Sequence, residues 1–436
     1  RTDIFTGDLN TNGFRALFGR RFRNGLALQF SGQQLATQQG RVSAFGTTST
    51  AAGRGDGANA TITTRFGWAR GKYSADMYGL VITRNRDSQR GRDSTPAIPA
   101  FRGARREGYL RFAYGDTTGG FFGQLILSSL RTRLEGIRSA ADSDTTIHSD
   151  TTRSREQKVL TFGYATRNMQ VSFVERLRTF NGKAWHSPAA RASYVRGILS
   201  GGVYLERQAF DSSKHIDAAV RIAPNNWSAL SISHTTRSFD KEVKRDDELV
   251  TQLQAGIKLR STWLTGGLIQ QGQSEQRAPS LLVGNVVTIS ERKAQGATFG
   301  LHGPLYKDLR FEVQGIGWNG AEYYRPQFSM RGDLGLQSNW LSHFPKGQFS
   351  INTHLIYELR EPISFLYPSA SDTATTPTIV TSQRTKVLTM LLELRIQRAV
   401  IFYQFHNMTG QAYEYVPGIV MPRQNQFYGV RWEFSN

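Results

Sequence analysis

The chain has 436 residues, is 39% hydrophobic and carries a formal charge of +20, with a pI near 10.3. It has no run of roughly 20 apolar residues, which excludes a bundle of spanning helices; even segment 387–396 is interrupted by Glu393 and Arg395. It has no cysteine, which excludes disulfide scaffolds, thiolate metal sites and cysteine catalysis. The basic residues are scattered along the chain rather than gathered among aromatics, so nucleic acid is not the expected partner.

Taken in chain order, the dominant pattern is alternation with period two, the mark of strands with one apolar and one polar face. Segments 2–8 and 13–22 read as the first two strands. Leu26, Leu28 and Phe30 then alternate with Ala27, Gln29 and Ser31. Further on, Leu249, Leu253, Ile257 and Leu259 alternate with Gln252, Gln254 and Lys258. Phe349, Ile351, Leu355 and Leu359 alternate with Ser350, Asn352, His354 and Arg360, and Leu388, Met390, Leu392 and Leu394 with Thr389, Glu393 and Arg395. These segments run about 10–15 residues. Soluble strands usually run about five or six, and a membrane-crossing strand needs about 9–11. Trp68, Tyr73, Trp227, Trp263 and Trp432 stand near segment ends, where an interfacial girdle would place them.

Short and long connections alternate. Short turns are expected at 23–24, 71–72, 116–119, 167–168, 200–201, 225–226, 261–262, 306–308, 343–347 and 397–398. Long polar stretches cover 37–58, 85–103, 137–155, 240–247, 277–286, 361–383 and 412–425. Ten short turns pair twenty strands, and segments 2–8 and 427–435 bring the total to about 22. The expectation is therefore an all-β chain, residues 1–436 as one transmembrane antiparallel β-barrel, with short periplasmic turns and longer extracellular loops. An even, closed ring leaves no strand edge exposed to lipid.

Little in the chain suggests catalysis or a cofactor. The eight histidines form no ligand set at metal-binding spacing, and His234, His354 and His406 read as residues of the polar face. Asp142, Asp144 and Asp150 lack the glycine and terminal glutamate of a calcium loop. The tripeptide Arg54-Gly55-Asp56 reads as a chance match, and no Gly-x-Ser-x-Gly elbow marks a nucleophile. No catalytic, metal or cofactor residues are assigned. The functional candidates are lumen-facing bases: Arg65, Arg111, Lys258, Arg310, Arg395 and Arg431. They either attract an anionic solute or pair with Asp76, Glu312, Glu358, Glu393 and Glu433 across the wall.

The carboxyl end is the most specific segment. Tyr428, Val430, Trp432 and Phe434 form one apolar face, with Gly429 on the other, and this suits the terminal strand that barrel assembly machinery recognises. The longer stretch containing Asn407, Met408, Thr409, Tyr413, Pro417, Gly418, Met421, Pro422 and Arg423, and ending Gly429-Val430-Arg431-Trp432-Glu433-Phe434, resembles the closing hairpin of TonB-dependent receptors. It lacks the glycine that family places before the arginine, and Phe427 stands where the assembly signal usually has a polar residue. The resemblance implies a bacterial outer-membrane barrel in contact with lipid and lipopolysaccharide, taking up a scarce nutrient such as a metal chelate, vitamin or oligosaccharide. The plug domain of that family is not expected in this chain, because strands begin near Thr2. A TonB complex is a partner if a plug exists. The alternatives are a plugless, anion-preferring porin and a structural barrel filled by a partner or by its own loops.

Overall fold

A computed structural model describes residues 1–8, 11–38, 56–86, 101–116, 119–136, 151–180, 182–240, 247–278, 287–367, 378–415, 417, 420–421 and 423–434. Among them are twenty-six strands and no helix. The first thirteen are β1 (Thr2–Gly7), β2 (Thr11–Arg21), β3 (Leu26–Gln38), β4 (Asp56–Arg70), β5 (Tyr73–Arg86), β6 (Phe101–Asp116), β7 (Gly119–Gly136), β8 (Thr151–Ala165), β9 (Met169–Phe180), β10 (Lys183–Arg196), β11 (Leu199–Gln208), β12 (Ser213–Ile222) and β13 (Ser228–Phe239). The rest are β14 (Glu248–Leu259), β15 (Thr262–Gln271), β16 (Ser274–Ala278), β17 (Val287–Glu291), β18 (Ala294–Tyr306), β19 (Leu309–Trp318), β20 (Phe328–Ser338), β21 (Phe349–Arg360), β22 (Ser364–Tyr367), β23 (Thr378–Thr381), β24 (Thr385–Ile396), β25 (Ala399–His406) and β26 (Asn425–Trp432).

Twenty-two of these strands form one antiparallel sheet in which each neighbours the next, and β1 pairs with both β2 and β26. The sheet therefore closes on itself, with Thr2 opposite both Ala16 and Trp432. Closure satisfies every edge, the condition for crossing lipid with strands. The remaining four strands form two small hairpins, β16–β17 and β22–β23, beyond the barrel rim. The second lies within the stretch 361–383 that reads from sequence as a long polar loop, and the first flanks the stretch 277–286. Most other long connections lie outside the described residues, as do Arg54, Gly55, Asp142, Asp144 and Asp150.

The ladder keeps one side-chain face continuous around the ring, because directly opposite residues share a face. One face carries Phe14, Phe30, Phe66, Phe112, Leu160, Phe173, Val220, Ile232, Leu253, Leu268, Phe299 and Val430, all well exposed. So much exposed apolar surface on one face has the chemistry of contact with lipid tails. Trp68, Tyr73 and Trp432 stand on this face near the short-turn ends, and Trp227 is exposed in a turn. Trp263 departs from the expected girdle: it stands opposite Lys258 and His302 on the inward face. His234 departs the other way. It follows Leu230 and Ile232 in phase and bonds Thr251 at 2.9 Å on the outward face. Its flanking residues, Ser233 and Thr235, are also polar, so parity there is decided only by pairing.

Five of the short connections are two-residue turns whose first residue has positive φ: Gly71 (58°), Gly197 (55°), Arg260 (57°), Lys307 (45°) and Gln397 (55°). A tight hairpin needs this left-handed conformation to follow the twist of its strands. Two turns therefore sit slightly earlier than expected, at Gly197-Ile198 and Arg260-Ser261. Gly201 and Gly202, which resemble a turn in the sequence, lie within β11.

The closing seam is built around Phe5. It stands opposite Gly13 on one side and Gly429 on the other, with its ring 6.2 Å from that of Phe402. A Cβ at Gly13 would lie inside the Phe5 ring, and one at Gly429 would lie 2.2 Å from the Ile4 carbonyl oxygen. The glycines let an inward aromatic lie flat over the junction of the first and last strands.

Candidate functional site

The other face is polar and turns inward. Gln252, Thr298, Glu312, Arg331 and Arg360, from β14, β18, β19, β20 and β21, line one cavity of about 520 Å³ with Tyr415 of the closing loop. Residues from five strands can border a common space only on the concave side.

All six bases expected in the lumen stand on this face, and the structure divides them into two groups. Arg65 and Arg111 share Asp76, at 3.1 Å to Oδ1 and 2.9 Å to Oδ2, and Arg111 Nε donates to Gln124 at 2.8 Å. Arg395 pairs with Glu433 at 2.9 Å, and Arg431 with Glu393 at 3.1 Å. Arg431 Nε also lies 3.4 Å from Asp3, within ion-pair range but without an aligned hydrogen bond. Lys258 and Arg310 form the second group. They stand opposite Trp263 and opposite Pro304 and Gly335, and neither has an ion pair with a described residue. Pairing across the wall thus accounts for four of the six.

Pairing does not neutralise the wall, because single carboxylates serve several guanidiniums. Asp3 receives Arg1 at 3.1 Å and Arg15 at 3.9 Å in addition to Arg431, and Asp76 receives two arginines. Glu206 is the most enclosed case. Its Oε1 accepts from Arg176 at 2.6 Å and Arg178 at 3.0 Å, and its Oε2 from Tyr204 at 2.8 Å and Gln208 at 3.1 Å. A buried carboxylate needs such a set of donors to remain charged. The opposite sharing, one guanidinium between two carboxylates, also occurs: Arg237 meets both Asp211 and Glu248, and Arg431 both Glu393 and Asp3. The Glu206 centre was missed in the sequence reading. The alternate positions Arg176 and Arg178, and Tyr204, Glu206 and Gln208, do carry the signal, but only the ladder brings them together.

Charge centres continue along the inward face toward the closing loop. His354 meets Asp333 at 2.9 Å, and Thr389 bonds His406 at 2.8 Å. The nitrogen Nε2 of His406 lies 2.7 Å from the Tyr413 hydroxyl. Tyr415 donates to Glu358 at 3.0 Å, its ring 5.1 Å from the Arg360 guanidinium. Thr385 donates to the Glu414 carbonyl at 3.1 Å, and Asn407 Nδ2 to the Gln411 carbonyl at 2.8 Å. The described part of segment 412–425 is therefore not a free external loop. Tyr413, Glu414 and Asn407 are buried against the wall. Burial, with the Glu358 charge nearby, pushes the Tyr413 hydroxyl up to about 12, and burial and Glu358 raise Tyr415 as well. Both stay neutral donors at physiological pH. Asn407 and Tyr413, two of the residues on which the sequence resemblance rests, are both buried here. Among the described residues no three His, Asp or Glu side chains are grouped as metal ligands.

No family model matches the sequence, and no curated protein does. Solved structures match along nearly its full length. The FrpB iron transporter from Neisseria meningitidis superposes with a TM-score of 0.72 at 10% identity, over 99% of this chain and 81% of that one. The siderophore receptor PirA from Acinetobacter baumannii gives 0.68 at 11% identity, over 99% and 80%. A mutant ferric enterobactin receptor, PfeA of Pseudomonas aeruginosa, gives 0.67 at 10% identity, over 98% and 80%. At this identity the likeness is one of fold: this closed 22-stranded barrel resembles the structures of these three transport proteins.

Proposed function

We propose that this chain is the barrel of an outer-membrane transporter of the TonB-dependent receptor type, and that it takes up a scarce nutrient. One observation carries the reading: a closed ring of twenty-two strands with a polar, arginine-rich interior. A ring of this size encloses a hole wide enough to need a plug, unlike 8-stranded barrels filled by side chains. Among nutrient classes, a ferric chelate comes first. The three structures named above are described as an iron transporter, a siderophore receptor and a ferric enterobactin receptor, and an anionic chelate suits a wall where acids are outnumbered by bases.

The test is uptake of a labelled ferric chelate by cells carrying the full gene product, with the TonB complex intact or disabled. The proposal expects uptake that needs both. Uptake that continues without TonB would instead support a plugless, anion-preferring pore, the second reading, which Lys258 and Arg310 favour because neither has an ion pair among the described residues. In that case planar-bilayer currents should be large and steady, and K258Q/R310Q should shift the reversal potential toward cations.

A further inference from the structure

We infer that the outward surface of β6 to β12, above the apolar band, binds phosphate-bearing lipid headgroups of the surrounding leaflet. The inference rests on the membrane placement proposed above. On these strands the outward positions begin as a lipid-facing row from the short-turn side: Phe112 and Leu110 on β6, Leu125 and Leu127 on β7, Val203 and Leu205 on β11, Val220 and Ile216 on β12. The same face then turns basic toward the long-loop side, with Arg106, Arg131, Lys158, Arg207 and Lys214, all exposed.

Two of these contacts are unusual. Arg106 stands directly opposite Arg131, and Arg207 directly opposite Lys214. Like charges placed opposite one another across a ladder repel. None of the five cations has an ion pair with a described carboxylate, whereas inward arginines gather around Asp3, Asp76 and Glu206. The described acids on this surface are Glu156 and Glu175, and Glu175 is bonded to His186 at 3.0 Å. Corresponding outward positions elsewhere are mostly neutral, as at Gln34, Thr236, Gln270, Gln295 and Gln426. Lys386 stands alone there, and Arg384 is paired with Glu361 at 2.8 Å.

Two cation pairs at the upper border of the lipid band are suited to an anion of fixed depth. A phosphate accepts several charge-assisted hydrogen bonds at once and removes the repulsion within each pair. Acyl chains anchored beneath it would lie on the Leu110–Leu127 and Leu205–Ile216 rows. This combination selects a phosphorylated lipid over a soluble anion, which would gain only the charge.

The test uses the full chain folded in neutral detergent, with its fold checked by heat-modifiable migration on gels. Binding of bisphosphorylated lipid A, of the same glycolipid without phosphates, and of inorganic phosphate is measured by native mass spectrometry and titration. The expected result is a preference of at least about tenfold for the phosphorylated glycolipid. R106Q/R131Q/R207Q/K214Q should abolish that preference, and R20Q/R70Q/R260Q/R398Q, which removes equal charge at the opposite end of the strands, should keep it. The inference is overturned if the folded protein binds both glycolipids equally, if the two variants behave alike, or if inorganic phosphate binds these residues as tightly as the lipid. Absence of the chain from outer-membrane fractions would overturn the membrane placement instead, and is scored separately in cells.

Discussion

Replacing Glu206 by glutamine removes one charge and keeps the shape. In the parent this carboxylate is nearly inaccessible and accepts four hydrogen bonds, two of them from Arg176 and Arg178. Hydrogen bonds to charged groups contribute about 1.5–3 kcal/mol each, and leaving a buried ion unpaired costs about 3–5 kcal/mol. Both arginines retain some contact with the lumen, so solvent screens part of this. The glutamine carbonyl oxygen can still accept from Tyr204. The expected loss for E206Q is therefore about 2 kcal/mol, and for E206L, which accepts nothing, about 4 kcal/mol. Urea unfolding of the barrel in vesicles, followed by tryptophan fluorescence, measures both. A double-mutant cycle of E206Q with R176Q isolates the pair and should show coupling of about 1–3 kcal/mol. Arg178 lies farther away and should couple less. If E206Q unfolds within about 0.5 kcal/mol of the parent, or the cycle is additive, the carboxylate does not tie β11 to β9 across the intervening strand.

Three further outcomes follow from the seam, the closing loop and the lipid face. G429V places a branched side chain against Ile4 and Phe5, so β26 should fail to close on β1, and pulse-labelled protein should accumulate without heat-modifiable migration. Tyr413 has a hydroxyl pKa raised to about 12 when docked, against about 10 when free. Docking is therefore unaffected below pH 10 and weakens as pH rises from 10 to 12, where only the undocked form has lost its proton. Protease cleavage within the closing loop should rise across that window, and Y413F should flatten the dependence. L268R puts a charge in the exposed row Ile232–Leu253–Leu268, which should destabilise the folded barrel by about 2–4 kcal/mol in vesicles, whereas an arginine placed in one of the short turns should cost much less.

The barrel could be read from the chain because its main constraint is local. Each spanning segment must show oil and water opposite faces, so Leu253 and Gln254, or Leu392 and Glu393, reveal their sides with no knowledge of partners. Turn residues are local too, which is why Gly71, Lys307 and Gln397 fell where expected. Parity failed only where neighbours were alike, as at His234 between Ser233 and Thr235, or where an aromatic at a strand start suited either side, as with Trp263.

The shared carboxylates were not legible in the same way. Arg176 and Glu206 are separated by thirty positions, and Asp3 meets Arg431 only because the first strand pairs with the last. Sequence periodicity says which side of a strand a residue faces, but not which residue stands opposite. That depends on register, set by turn geometry and by closure around the whole ring. The chain alone determined a wall of alternating oil and water faces. The tertiary structure decided which charges meet across it, which remain unpaired, and that cations of one outward sector stand side by side.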